Sequence, residues 1–291
     1  MKTINFFFIT LILNTVSCTA QPKLENTLLW KISGNGLTEE SYLFGTNHSV
    51  HHSFLDSIPG FWNTFDSAKK LLVEINIISQ EPPTPPTSMV FLSKDSTYNL
   101  FYTNEEYQIV NNYIKLHNFG DLQEVNVKPS VMSLVVSNII ANDAANNIQS
   151  NETIDYHIIT TAERRNIEIL QLDDITNWHA QRYKIYNFNI PLKKQAEILL
   201  HIIKNENLLK ETHKQVIQAY KQQNISELSD FNDTMRSLNQ EIDSSIGASR
   251  NILWMEKIPE ILKSGSSFIA VGALHLVGEN GLIALLRKEG Y

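Results

Sequence analysis

Two segments at opposite ends of the chain carry one spacing. Gly45-Thr46-Asn47-His48 closes the apolar run in "YLFGTNHSV", and Gly272-Ala273-Leu274-His275 closes the one in "FIAVGALHLVGENG". Imidazole is the side chain best suited to moving protons near neutral pH, and it is also the commonest metal ligand. A glycine three residues earlier lets a chain leave a buried strand sharply, often through backbone angles only glycine accepts, and it permits close approach. The histidine then lands at the carboxyl end of a strand, where α/β sheets place ligands. With 11 Gly and 9 His in the chain, about 0.3 such spacings arise by chance. Two of them point to one shared site, although a pair of ordinary loop histidines stays open.

Glu74 is the third candidate. It lies inside "KLLVEINII", Lys70 to Ile78, whose length and β-branched content read as a strand. Alternation puts Leu71, Val73, Ile75 and Ile77 on one face and Leu72, Glu74, Asn76 and Ile78 on the other. Burying an unpaired carboxylate mid-strand costs several kcal/mol, so Glu74 needs a partner. That partner is an arginine such as Arg250, or else Glu74 serves as a ligand or general base. Two histidines and one carboxylate also make a sufficient ligand set for a divalent ion such as zinc, with positions left for water and substrate. Such an ion would acidify bound water and polarise a carbonyl. Asp173-Asp174, after "EILQL", ends another strand at the same kind of rim and could steady a histidine, or simply sit in a solvated turn. Trp30, Trp62, Trp178 and Trp254 read as packing residues. No serine sits in a nucleophile-elbow sequence, and no glycine-rich phosphate loop is present.

The elements that must hold these residues follow from pattern. "LLWKISG" and "SYLFG" are strands flanking Asn35-Gly36, a hairpin signal. "IEILQLDD" (Ile167–Asp174) and "SFIAVGALH" are further strands, and "EPPTPPT" (Glu81–Thr87) is an exposed loop. Helices are expected after the Thr103 cap and from Pro129. Another is expected in "GASRNILWMEKIPEILKSG", kinked or split at Pro259 and stopped by Gly265, and the closing helix in "NGLIALLRKEGY". Strands at both ends with helices between predict an α/β or α+β fold. It would be one domain over 21–291 around a central mixed sheet, with residues 103–262 mainly a helical insertion.

The first 20 residues read as a secretory signal: one lysine, an apolar core from Ile4 to Leu13, then small residues. Cleavage after Ala20 would leave a chain without cysteine. In the alternative, "TVSC" is a loose lipobox and Cys18 becomes a lipid anchor, the only membrane association expected. The protein is thus expected to be exported: periplasmic, secreted or lipid-anchored to the envelope. A net charge of −7, without clustered Lys and Arg, argues against a nucleic-acid partner.

The chain resembles the TraB/GumN family, whose animal relatives are the Tiki proteins. The resemblance runs over roughly Leu28 to Tyr291 and rests on "LLWKISGNG…SYLFGTNHS", "KLLVEINI", "RNILWMEKI" and above all "FIAVGALHLVGENGLIALLRKEGY". It implies that His48, His275 and Glu74 are the catalytic or metal-binding set. It also implies that the pair Arg250-Asn251 lies on a helix able to aim a guanidinium at substrate. Tiki proteins are similar to metal-dependent peptidases using manganese or cobalt-type ions, whereas some bacterial members are linked to inhibition of peptide pheromones. The expectation that follows is a metal-dependent hydrolase, most simply a peptidase, acting on a peptide or small molecule. Two alternatives stand beside it: a metal-free His/Glu hydrolase, as in the distantly similar erythromycin esterases, and a non-catalytic peptide-binding protein. One departure is "SVHHSFLDSIP", which adds His51 and His52 and makes a second metal conceivable.

Overall fold

The computed structural model describes residues 25–78, 84–173, 190–238 and 245–291, with backbone only at 232–238 and 245–248. The N-terminal stretch read as a secretory signal, Cys18, Glu81–Pro83 of the proline-rich loop, Asp174 and Trp178 lie outside the described residues. No helix among those described is long and apolar enough to cross a membrane.

Among the described residues five strands form one sheet: β1 (Leu29–Ile32), β2 (Ser41–Thr46), β3 (Lys70–Val73), β4 (Glu168–Gln171) and β5 (Ser267–Gly272). Their spatial order is β1-β2-β5-β3-β4. β1 pairs antiparallel with β2, and every other neighbour is parallel. The expected hairpin is there, with Asn35 and Gly36 both at positive φ (41° and 77°) and Leu37 N donating to Gly34 O, the geometry an Asn-Gly turn favours.

Eleven α-helices are described, so the fold is mixed α/β as expected. α1 (Phe61–Ser67), α5 (Ile154–Arg164) and α7 (Glu206–Lys221) cover one sheet face, where Phe61, Phe65, Ile158 and Tyr220 meet Phe44, Leu71 and Phe268. α9 (Ser245–Met255), α10 (Ile258–Lys263) and α11 (Leu282–Lys288) cover the other, where Trp254, Ile258 and Leu282 meet Leu43, Leu72 and Ile269. Burial on both faces explains why the parallel strands read as nearly continuous apolar runs. Pro259 stands in the first turn of α10, and the helix is split there as expected.

A second core joins α3 (Asn104–Leu116), α4 (Pro129–Ala144) and α6 (Leu192–Lys204) through Val110, Ile114, Val136, Ile140 and Leu199. The Thr103 cap is a full capping box with Glu106, and Pro129 opens α4. Between residues 103 and 262 the regular elements among the described residues are helices apart from β4. Since β4 and α5 belong to the sheet and its core, only α3, α4 and α6 build the separate helical layer. Short α2 (Thr87–Val90) precedes it, and α8 (Ile225–Leu238) follows α7.

One strand is shorter than its sequence reads. β3 stops at Val73, so Glu74 is the first residue beyond the strand and not a mid-strand position. Polar residues turn the chain out: Asn76 N donates to Gln171 Oε1, and Asn76 Oδ1 accepts from Ile78 N, leaving Ile77 half exposed.

Candidate functional site

Register alone brings the candidates to one edge. Thr46 pairs with Gly272, and Val73 pairs with both Ala270 and Gln171. The carboxyl ends of four adjacent parallel strands therefore deliver His48, His275, Glu74 and Asp173 to the same rim. The β3–β4 ladder continues one step past the strands, as Asp173 N donates to Glu74 O and sets the two acidic residues side by side.

The two motif glycines serve close approach. Neither has a positive φ, and Gly272 sits at φ −51°, ψ 135°; the expected need for special backbone angles is not met. A Cβ on Gly45 would stand 3.0 Å from Cα and Cβ of Ala273, and one on Gly272 would stand 3.2 Å from Glu74 Oε1. Gly45 thus lets the turn bearing His275 settle on β2, and Gly272 lets the carboxylate reach its own N–H at 2.8 Å. Gly45→Ala is expected to cost about 1–3 kcal/mol by overpacking and to shift the His275 ring signals. A thermal melt and an imidazole NMR spectrum unchanged from the parent would contradict this reading.

Arg250 is the hub of the larger cluster. Its Nη2 donates to Glu74 Oε2 and, at 2.7 Å, to Asp173 Oδ2. Its Nη1 lies 3.0 Å from His275 Nε2, and the guanidinium rests 4.6 Å above the Trp254 ring. Trp254 Nε1 donates to Asp173 Oδ1 at 2.8 Å. Because arginine only donates, His275 Nε2 is the acceptor and Nδ1 carries the hydrogen, which it gives to Asn251 Oδ1 at 2.7 Å. Asn251 in turn donates to the carbonyls of His275 and Asn280, so its orientation is fixed. Burial pushes His275 down to about 4, with Arg250 adding to the effect and Glu74 and Asp173 opposing it. Burial works against ionised Glu74, yet His275, Arg250 and the Gly272 N–H outweigh it and hold the carboxyl at about 2. At neutral pH the cluster is a neutral imidazole beside a carboxylate–guanidinium–carboxylate bridge.

His48 has a different partner. Its Nδ1 lies 2.7 Å from Asp155 Oδ2, and Thr46 Oγ1 donates to Asp155 Oδ1 at 2.7 Å. Asp155 stands in the first turn of α5. The buried Tyr220 hydroxyl donates to Gly45 O at 2.6 Å and ties down the strand end just before His48. Burial raises that phenol well above its ordinary value, so it remains a donor.

Does this set fit a divalent metal? Glu74 Oε1 and His275 Nε2 are 3.7 Å apart, but His48 is engaged by Asp155, and Arg250 occupies both His275 Nε2 and Glu74 Oε2. Among the described residues no three His, Cys, Asp or Glu side chains group as a metal site. The donor set in this arrangement does not fit an ion. Nor do His51 and His52 form a second centre: His51 Nδ1 accepts from Ser53 N as a cap, and His52 stacks between His51 and His157.

A family model described as the TraB/PrgY/gumN family matches residues 28–291. The chain belongs to the TraB/PrgY/gumN family. Neither the curated proteins nor the solved structures include a significant match, so the chemistry of this TraB-family protein is argued from its own geometry. Of the five residues singled out from sequence, Glu74, Arg250, Asn251 and His275 form one bonded cluster in the TraB-family chain, and His48 joins them at the rim through a separate pair. Asp155, Thr46 and Trp254 were not anticipated. Asp155 reads as an ordinary acidic residue in a helix's first turn, and nothing in the sequence separates it from others of that kind.

The cluster also sets how the TraB-family fold responds to acid. His275 titrates near 6.5 unfolded and about 4 folded, and Glu74 near 4.5 unfolded and about 2 folded. Both values are depressed by folding, so both contributions are complete above the unfolded value and lost as pH falls through the folded one. Stability is expected to decline from about pH 6.5 to 4 through His275, by on the order of 3 kcal/mol, and further from about 4.5 to 2 through Glu74. Urea midpoints at pH 7.5, 5 and 3.5 read this directly. His275→Gln should flatten the upper step, and a parent protein with level midpoints would refute it.

Proposed function

We propose that this protein is a hydrolase that activates water without a metal ion, with His48 as general base. The observation that carries the reading is the chain Thr46–Asp155–His48 at the end of β2. A carboxylate on Nδ1, itself held by a hydroxyl, fixes the tautomer and ring angle and stabilises the imidazolium that forms when Nε2 takes a proton from water. The cluster one strand away supplies the complementary half. Arg250 is a fixed cation in a low-dielectric setting, suited to a developing oxyanion or a substrate carboxylate. Glu74, Asp173 and Asn251 hold it and His275 in place. The substrate is a peptide or a small molecule with a hydrolysable carbonyl, and the N-terminal signal directs the chain to export.

A tag-free preparation incubated with a mixed library of peptides and acyl esters, read by mass spectrometry, tests this reading. A set of products that disappears with His48→Ala is expected. A library left intact under all divalent ions tried, together with retained peptides, would favour a binding protein.

A further inference from the structure

The space beside His48 has a composition that proton transfer alone does not call for. A cleft of about 520 Å3 opens between His48 and one face of α4, a size typical of small-ligand sites. Val135, Asn138, Ile139 and Asn142 line it at spacings of three, four and seven, one side of a helix. Ile148 lines it as well. Apart from His48, no lining residue is ionisable. Aliphatic Val135, Ile139 and Ile148 are interleaved with two carboxamides. Asp155 stands behind His48, bonded to its Nδ1 and only 17 % exposed. A charged group seated in the cleft would gain no counter-ion from its lining, and an anion would also face Asp155. Carboxamides both donate and accept, which matches an amide or ester and gives no reward to a net charge.

We infer that this cleft is the substrate subsite and takes an uncharged aliphatic group, with Asn138 and Asn142 hydrogen-bonding the flanking amide or ester. The inference rests on the hydrolase reading, which puts His48 at the reacting bond. The aliphatic group comes either from a leucine-like side chain in a peptide or from a medium-length acyl chain; the lining chemistry is the same for both.

The test uses the full chain and four probes: end-capped Ala-Leu-Ala, Ala-Lys-Ala and Ala-Glu-Ala, and N-octanoyl glycinamide. Calorimetry reads binding and mass spectrometry reads turnover. The neutral probes are expected to bind at least about tenfold more tightly than the charged ones, and the tighter of the two neutral probes names the source. Ile139→Trp, which fills the cleft, should remove that binding. Asn142→Asp is isosteric and exposed, so it spares the fold; it should improve the lysine peptide relative to the leucine peptide by roughly fivefold. Charged probes binding as well as neutral ones, or neutral binding indifferent to both variants, would overturn the inference. Binding without turnover would leave the subsite standing and remove the hydrolase. Turnover blind to charge and to Ile139→Trp would do the reverse.

Discussion

His48→Ala is expected to lower kcat/KM by roughly 10²–10⁴-fold, the usual contribution of a positioned general base, while moving stability by no more than about 1 kcal/mol. The second half of that expectation follows from exposure. The His48 side chain is 75 % exposed, so its removal opens no cavity and breaks a hydrogen bond to Asp155 of the kind that solvent already weakens. Asp155→Asn should fall in the same range for a different reason. The carboxamide can turn its NH₂ toward Nδ1 and favour the tautomer with the hydrogen on Nε2, which cannot accept a proton from water. Thr46→Val, which removes only the hydroxyl that holds Asp155, should lose about 10–100-fold. If the three losses were equal and accompanied by unfolding, the chain of residues would be a structural feature of α5 and not a proton relay.

The second large effect falls on stability. Arg250→Met should cost about 3–5 kcal/mol, on the order of 10 °C in Tm for a chain of this size. Arg250 bridges Glu74 and Asp173, whose side chains are 22 % and 4 % exposed. Removing the cation leaves two neighbouring carboxylates in a site that hydrates them poorly. Glu74, without the guanidinium that lowers its pKa, would then take up a proton more readily, so the midpoint should fall further as pH rises. Arg250→Lys should be only partly tolerated, because an ammonium cannot span two carboxylates and an imidazole with the geometry of a guanidinium. Neutralising both acids together, with Arg250→Met, Glu74→Gln and Asp173→Asn in one chain, should recover a substantial part of the loss. An Arg250→Met protein as stable as the parent would show that the bridge is not what holds this rim together.

Strand order was the part of the fold least accessible from sequence. The runs around Leu43, Leu72 and Ile269 announce strands, but nothing local says that β5, formed last, inserts between β2 and β3 and so brings the two Gly-x-x-His segments onto neighbouring strands. The repeated spacing did give a reason to place them together, and the parallel register of Thr46 with Gly272 gives that reason a geometry. Glu74 was legible as a carboxylate in need of a partner, and Arg250 was among the partners considered. What the spacing could not convey is direction. Whether His48 turns toward Glu74 or toward Asp155 depends on α5, more than a hundred residues downstream. Trp254 likewise reads as one more packing aromatic until its indole N–H is seen on Asp173. The glycines were singled out for backbone freedom and for close approach, and the structure uses only the second.

The most direct measurement of the central claim is metal content and chelator resistance on one tag-free preparation, using any substrate that the library yields. With Thr46, Asp155 and His48 activating water and Arg250 in the place an ion would need, turnover should survive prolonged chelation. Bound manganese, cobalt and zinc should stay far below one per chain, equally in the parent, His48→Ala and His275→Gln proteins. One ion per chain, lost in either histidine variant and required for turnover, would contradict the account. It would mean that Arg250 withdraws and His48 leaves Asp155 when the metal arrives.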